Sequence, residues 1–128
     1  MIAPPRVALV RLNVHELSIV LSLVEAIEAK ARDLGIERVT GVHLRVGSFS
    51  GVVPDALRFT WEAATAETVA ASSALLIEEV PLVVYCETCR GERQPNAGAG
   101  IACPSCEHPA RRIVSGRELE LVAIEIPQ

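Results

Sequence analysis

The sequence predicts an α+β domain in which two helices pack on one face of a three-stranded sheet, with a small module inserted before the last strand. Three observations predict it. Apolar residues at Leu17, Leu21, Val24, Ile27, Ala31 and Leu34 recur at the three-and-four spacing of an amphipathic helix. Val42, Leu44 and Val46 alternate with His43 and Arg45, the period of a half-buried strand. The chain's 4 cysteines stand as two Cys-x-x-Cys pairs, Cys86/Cys89 and Cys103/Cys106, around a stretch with almost no bulky apolar residue.

Taken in order, residues 1–13 contain Pro4 and Pro5, show no clear period and read as an N-terminal extension. The first helix follows. Asn13 is placed to cap it, Glu16 three residues later completes a capping box, Leu12 and Leu17 form the staple, and Gly35 stops it. After the first strand, Gly47 to Gly51 makes a turn. Pro54 suits the first turn of a second helix whose buried side carries Leu57, Trp61 and Ala64. Ala74 to Tyr85 reads as a second strand, interrupted or bent by Pro81. Leu119 to Ile126 is the third, and its apolar phase shifts at Leu121-Val122, as at a bulge or between two covered faces. The expected division is thus 14–85 with 107–128 as the α+β domain, and 86–106 as the inserted module.

The cysteines carry the clearest chemistry. A Cys-x-x-Cys turn aims two sulfurs at one point, and two such turns supply the four thiolates of a tetrahedral structural zinc site at Cys86, Cys89, Cys103 and Cys106. The segment between the pairs holds Gly91, Pro95, Gly98 and Gly100 and cannot pack a core of its own. A zinc ion is worth roughly 10–16 kcal/mol in such peptides, enough to hold this loop while the α+β domain keeps its own core. Four sulfurs leave no open coordination position, so the ion is structural, not catalytic. Iron fits the same sulfur geometry. Disulfides belong to oxidising compartments, and the apolar run Val7 to Val10 is too short for a signal core.

Composition bounds the rest. At 128 residues, half of them hydrophobic, the chain makes one domain of ordinary size. A net charge of −4 and only Phe49, Phe59, Trp61 and Tyr85 as aromatics lack the basic face and stacking rings of nucleic-acid binding. The apolar stretch Leu17 to Val24 includes two serines and is too short to span a bilayer. A soluble cytoplasmic protein is expected. No nucleophile–base pair, phosphate-cradling glycine loop or paired catalytic carboxylates occur at recognisable spacing, so no enzyme is expected. His43 reads as a surface or satisfied strand histidine. His108 is spare beside four cysteines, although exchange with a sulfur is conceivable. Arg111 and Arg112 read as a solvated face.

His15 and Glu16 open the first helix, where imidazole and nearby backbone nitrogens offer a nitrogen-rich site of the kind nickel(II) accepts. The capping box explains the same residues without any metal. The run His15-Glu16-Leu17-Ser18-Ile19 resembles the N-terminal signature of the HypA/HybF family of hydrogenase maturation nickel metallochaperones. The similarity continues through Val46 to Val52, Pro54 to Phe59, Ala74 to Glu78, both cysteine pairs and Ser115-Gly116-Arg117-Glu118-Leu119, in unbroken order from about residue 14 to 126. The double cysteine pair alone is common, but joined to this head and tail it is specific. The resemblance implies nickel as transferred cargo, with His15 the main ligand through side chain and backbone nitrogen and Glu16 supporting or joining the site. It implies zinc at the four cysteines and no catalytic residue. It also implies two partners, a P-loop GTPase of the nickel pathway and the hydrogenase large-subunit precursor.

One departure concerns the start. In the family the His-Glu pair follows the initiator methionine, whereas here Val14 holds that place. The single lysine against eleven arginines suggests a GC-rich gene, in which GUG often initiates. The expectation is that the native chain begins at residue 14, giving nickel a terminal amine, although Leu12 and Asn13 suit the staple and cap. The competing reading is a zinc-ribbon adaptor that binds a protein or nucleic acid without a second metal. A small iron redox protein is a third.

Overall fold

The computed structural model describes residues 14–128, and side chains from Glu16 onward. Helix α1 spans Val14–Leu34, strand β1 Gly41–Gly47, helix α2 Pro54–Thr65 and strand β2 Ala74–Val80. Strands β3 (Val83–Cys86), β4 (Gly91–Arg93), β5 (Arg112–Ser115) and β6 (Leu119–Glu125) complete the chain. They form two three-stranded sheets, ordered β2-β1-β6 and β4-β3-β5.

Helix α1 ends as Gly35 predicts. Gly35 takes φ +67, its N–H donates to the Arg32 carbonyl at 3.2 Å, and the Ile36 N–H reaches back to the Ala31 carbonyl at 3.0 Å. This pair of bonds is a Schellman motif, which needs a left-handed residue just past the helix. The Asn13 half of the expected capping box lies outside the described residues. The buried stripe differs from the expected one. Val20, Val24, Ile27 and Ala31 are buried, whereas Leu21 and Leu34 are 52% exposed. The run from Leu17 to Val24 is apolar on two adjacent helical stripes, so periodicity fits both, and only packing against the sheet selects the one led by Glu16 and Val20.

Helix α2 starts at Pro54 and buries Leu57, Trp61 and Thr65. Thr65 takes a core place as its hydroxyl donates to the Trp61 carbonyl at 2.8 Å, leaving no unpaired polar group there. Ala64, expected in the core, is partly buried against it. Both helices join Val42, Leu44 and Val46 of β1 in one core. Strand β1 is central, parallel to β2 and antiparallel to β6. In β6 the register passes from His43↔Ala123 to Leu44↔Leu121, so Val122 is the extra residue of a bulge. That is the phase shift read from Leu121-Val122.

The expected Ala74–Tyr85 strand is two strands in different sheets. β2 pairs β1 as far as Val80, and the chain then passes through Pro81 and Leu82 into β3, which pairs with β4 and β5. Proline has no N–H for a ladder, so the pairing ends there and the chain turns out of the sheet. The second sheet was not foreseen, since β4 and β5 are too short to show a period. It lies between β2 and β6 in sequence, so the small module does stand before the last strand.

The two sheets meet at a tight seam. The N–H groups of Gly47, Ser48 and Phe49 donate to the carbonyls of Glu118, Val80 and Gly116 at 2.7, 2.8 and 2.7 Å. A Cβ on Gly47 would lie 2.0 Å from the Gly116 carbonyl oxygen, so only glycine permits this approach. The Glu118 side chain accepts the Gly116 N–H at 2.6 Å. The Gly-Arg-Glu-Leu segment thus has a structural task at the crossing. Among the described residues, no helix is long and apolar enough to cross a membrane.

Candidate metal centres

The cysteines are brought together by the second sheet. Cys86 closes β3, and the next turn carries the chain to Cys89 and then Arg90, whose φ is +55. The other pair repeats the shape: Cys103, then Cys106, then Glu107 at φ +66. A left-handed residue after each pair turns the chain sharply enough to leave both sulfurs on the inside. The Cys89 N–H donates to the Cys86 sulfur at 3.4 Å. In the second turn the Cys103 N–H donates to the His108 carbonyl at 2.9 Å, and the Glu107 N–H to the Cys103 carbonyl at 2.8 Å.

All four sulfurs lie within 4.8 Å of one another. Cys86 Sγ is 3.5 Å from Cys106 Sγ, and Cys89 Sγ is 4.0 Å from Cys103 Sγ. Tetrahedral zinc with bonds of about 2.3 Å places its sulfurs about 3.8 Å apart, a spacing these two distances bracket. A disulfide needs about 2.05 Å, and the four thiols are free. The disulfide reading therefore fails on distance, while a four-sulfur ion fits.

Hydrogen bonding divides the sulfurs. The Cys106 backbone N–H, then that of Ser105, favour negative charge on Cys103 and bring it down to about 6, against the pull of burial. Cys89 is pushed up to about 12 by its hydrogen bond with the Cys106 thiol, and by burial. Cys106 is also raised, burial and the neighbouring thiols outweighing the His108 N–H. The folded turns thus favour the thiolate at Cys103 over those at Cys89 and Cys106.

The other candidate site divides at the limit of the described side chains. His15 lies in the first turn of α1, and its side chain falls outside them. Glu16 is seen and is 1% exposed. Its Oε1 accepts the Val53 N–H at 3.2 Å, at the start of α2. Its Oε2 is buried and has no hydrogen-bond partner among the described residues. Sequence reasoning placed Glu16 at the helix head but missed its tie to α2, which links residues 37 positions apart. Nothing in the local pattern signals such a pairing.

The remaining singled-out residues have ordinary roles. His43 Nε2 pairs with Glu125 Oε1 at 2.8 Å on the open sheet face, a satisfied histidine as expected. His108 contributes its backbone to the cysteine turn. Arg112 is not simply solvated, because its guanidinium stacks over the Tyr85 ring at 4.6 Å from the centroid.

The chain matches the family model "Hydrogenase/urease nickel incorporation, metallochaperone, hypA" over residues 14–126. It is 46% identical over 113 residues to the hydrogenase maturation factor HypA of Chloroflexus aurantiacus, covering 88% of this chain and 99% of that one. It is 51% identical over 111 residues to the factor of the same name from Roseiflexus sp., covering 87% and 90%. In fold it resembles the solution structure of the Ni metallochaperone HypA from Helicobacter pylori, with a TM-score of 0.59 and 24% identity over 87% of this chain and 96% of that one. The match runs through the His15-Glu16 head, the Gly47–Gly116 seam and both cysteine turns, so the chain belongs to the HypA/HybF family of hydrogenase maturation metallochaperones.

Proposed function

We propose that this protein binds Ni(II) at the head of α1 and delivers it for maturation of [NiFe] hydrogenase, with a structural zinc ion at Cys86, Cys89, Cys103 and Cys106. The observation that carries the reading is the family match, which begins at the nickel head and includes all four cysteines. Two physical arguments support it. The first four N–H groups of a helix have no intrahelical acceptor, so the amide nitrogens of His15 and Glu16 can give up their protons to solvent and bind a metal without breaking a helix bond. They and the His15 imidazole form the nitrogen set that suits square-planar nickel. The sulfur cluster offers the opposite chemistry, a closed tetrahedral site.

Residues 86–106 depend on the zinc ion for their order, and the α+β domain keeps its own core. The partners are a P-loop GTPase that works in the same nickel pathway and the hydrogenase large-subunit precursor. Nucleic acid and membrane are not partners of an acidic chain of this kind. The protein transfers a cargo in the cytoplasm and catalyses no reaction of its own.

Metal counting by native mass spectrometry after nickel loading tests this. One zinc and one nickel per chain are expected, and His15→Ala should lose the nickel while keeping the zinc. Zinc alone in the unaltered protein would return the choice to the adaptor reading. A visible ferric tetrathiolate absorption would replace zinc by iron.

A further inference from the structure

We infer that the Glu16 carboxylate positions the nickel head and is not itself a nickel ligand: it fastens the first turn of α1 to the N-terminus of α2, leaving the backbone amide of Glu16 to the metal. The inference rests on the nickel reading above and deepens it. Helix α2 opens without a cap of its own. Val53 holds the cap position in extended conformation, φ −94 and ψ 116, with no side-chain hydrogen bond. Valine has no group that can accept one. Glu16 supplies the missing acceptor from another helix. Its Oε1 takes the Val53 N–H, the bond that the third-position glutamate of a capping box makes within its own helix.

Burial gives the arrangement its direction. Glu16 is among the largest fully buried side chains, whereas helix heads usually leave their acidic residues in water. The positive end of the α2 dipole offsets the cost of burying the carboxylate there. A side chain committed to α2 holds its own backbone in place, and the amides of the first turn of α1 are then presented in fixed geometry. The nitrogens are left to the metal, and the carboxylate acts as a fastening. Oε2 has no hydrogen-bond partner among the described residues, and Glu16→Gln reads whether the metal uses it.

The experiment compares Glu16→Gln, Glu16→Ala and Val53→Pro in the full chain by nickel titration, the square-planar nickel absorption band, and hydrogen exchange at the Val53 amide. Glutamine keeps a carbonyl oxygen for the Val53 N–H, so Glu16→Gln should retain the band, the amide protection and an affinity within about threefold of the parent. Glu16→Ala and Val53→Pro each remove one end of the bond and should weaken nickel binding by about tenfold or more. Glu16→Ala should also expose the Val53 amide. Zinc content should stay unchanged in all three. If Glu16→Gln loses nickel as completely as Glu16→Ala while keeping the Val53 amide protected, the carboxylate is a ligand and the inference is wrong. Full nickel affinity in both Glu16→Ala and Val53→Pro would also overturn it. A parent chain that binds no nickel would instead overturn the functional reading, and the exchange measurement would still decide whether the fastening exists.

Discussion

At the residue scale the sulfurs of the cysteine cluster are unequal in the folded turns: the backbone N–H groups of Cys106 and Ser105 favour the thiolate of Cys103, while the hydrogen bond with the Cys106 thiol holds Cys89 up. Zinc takes thiolates, so each protonated cysteine must release a proton on binding. Loading zinc into the chelator-stripped protein should therefore release protons, and zinc affinity should fall as the pH drops from about 7.5 to about 5. Calorimetry in buffers of different ionisation enthalpy measures both, and an affinity that does not change with pH would mean that thiolates are not the ligands. The ligand identities were legible from two Cys-x-x-Cys spacings. Which sulfur carries the charge was not, because it depends on N–H groups aimed by the folded turns. Glu16 is the parallel case: its place at a helix head was visible, and its partner Val53 was not.

At the scale of elements the question is which stripe of α1 faces the core. Leu21 and Ile27 belong to one apolar series in the sequence, yet Ile27 is fully buried and Leu21 is half exposed. Ile27→Ala should cost about 2–5 kcal/mol, as buried aliphatic truncations do, and Leu21→Ala no more than about 0.5 kcal/mol, as at an ordinary surface position. Urea denaturation followed by helical circular dichroism measures both. Equal losses would mean that the helix is rotated from the position described. The strands show a similar limit. β1 and the β6 bulge were legible because alternation registers one covered face, and a break in phase registers one extra residue. β4 and β5, at 3 and 4 residues, offer too few positions for a period. Pro81 announced a break in the second strand, but not that its two sides belong to different sheets.

Over the whole molecule, the seam sets how the cysteine module stands on the α+β core. Gly47 and Gly116 touch backbone to backbone there, and a Cβ on Gly116 would lie 2.7 Å from the Leu82 Cα at a φ of +114. Gly116→Ala should therefore destabilise the protein by about 1–3 kcal/mol, the usual range for overpacking, although residue 116 touches neither metal site. Thermal unfolding of the zinc-loaded protein checks this, and an unchanged melting temperature would mean that the seam yields easily. By itself the sequence determined the fold class, the helix boundaries set by Gly35 and Pro54, the first strand though not its central place, the four-sulfur cluster and the family. Each of these is written in short-range spacing, where residue type acts on its own backbone or a near neighbour. The tertiary structure decided which stripe of α1 is buried, where the chain leaves one sheet for the other, and how Glu16 meets Val53. Those depend on groups far apart in the chain that meet only when the helices and both sheets have packed, and no local pattern carries that information. Which cysteine thiolate is favoured depends on near neighbours, but on N–H groups that only the folded turns aim at the sulfur.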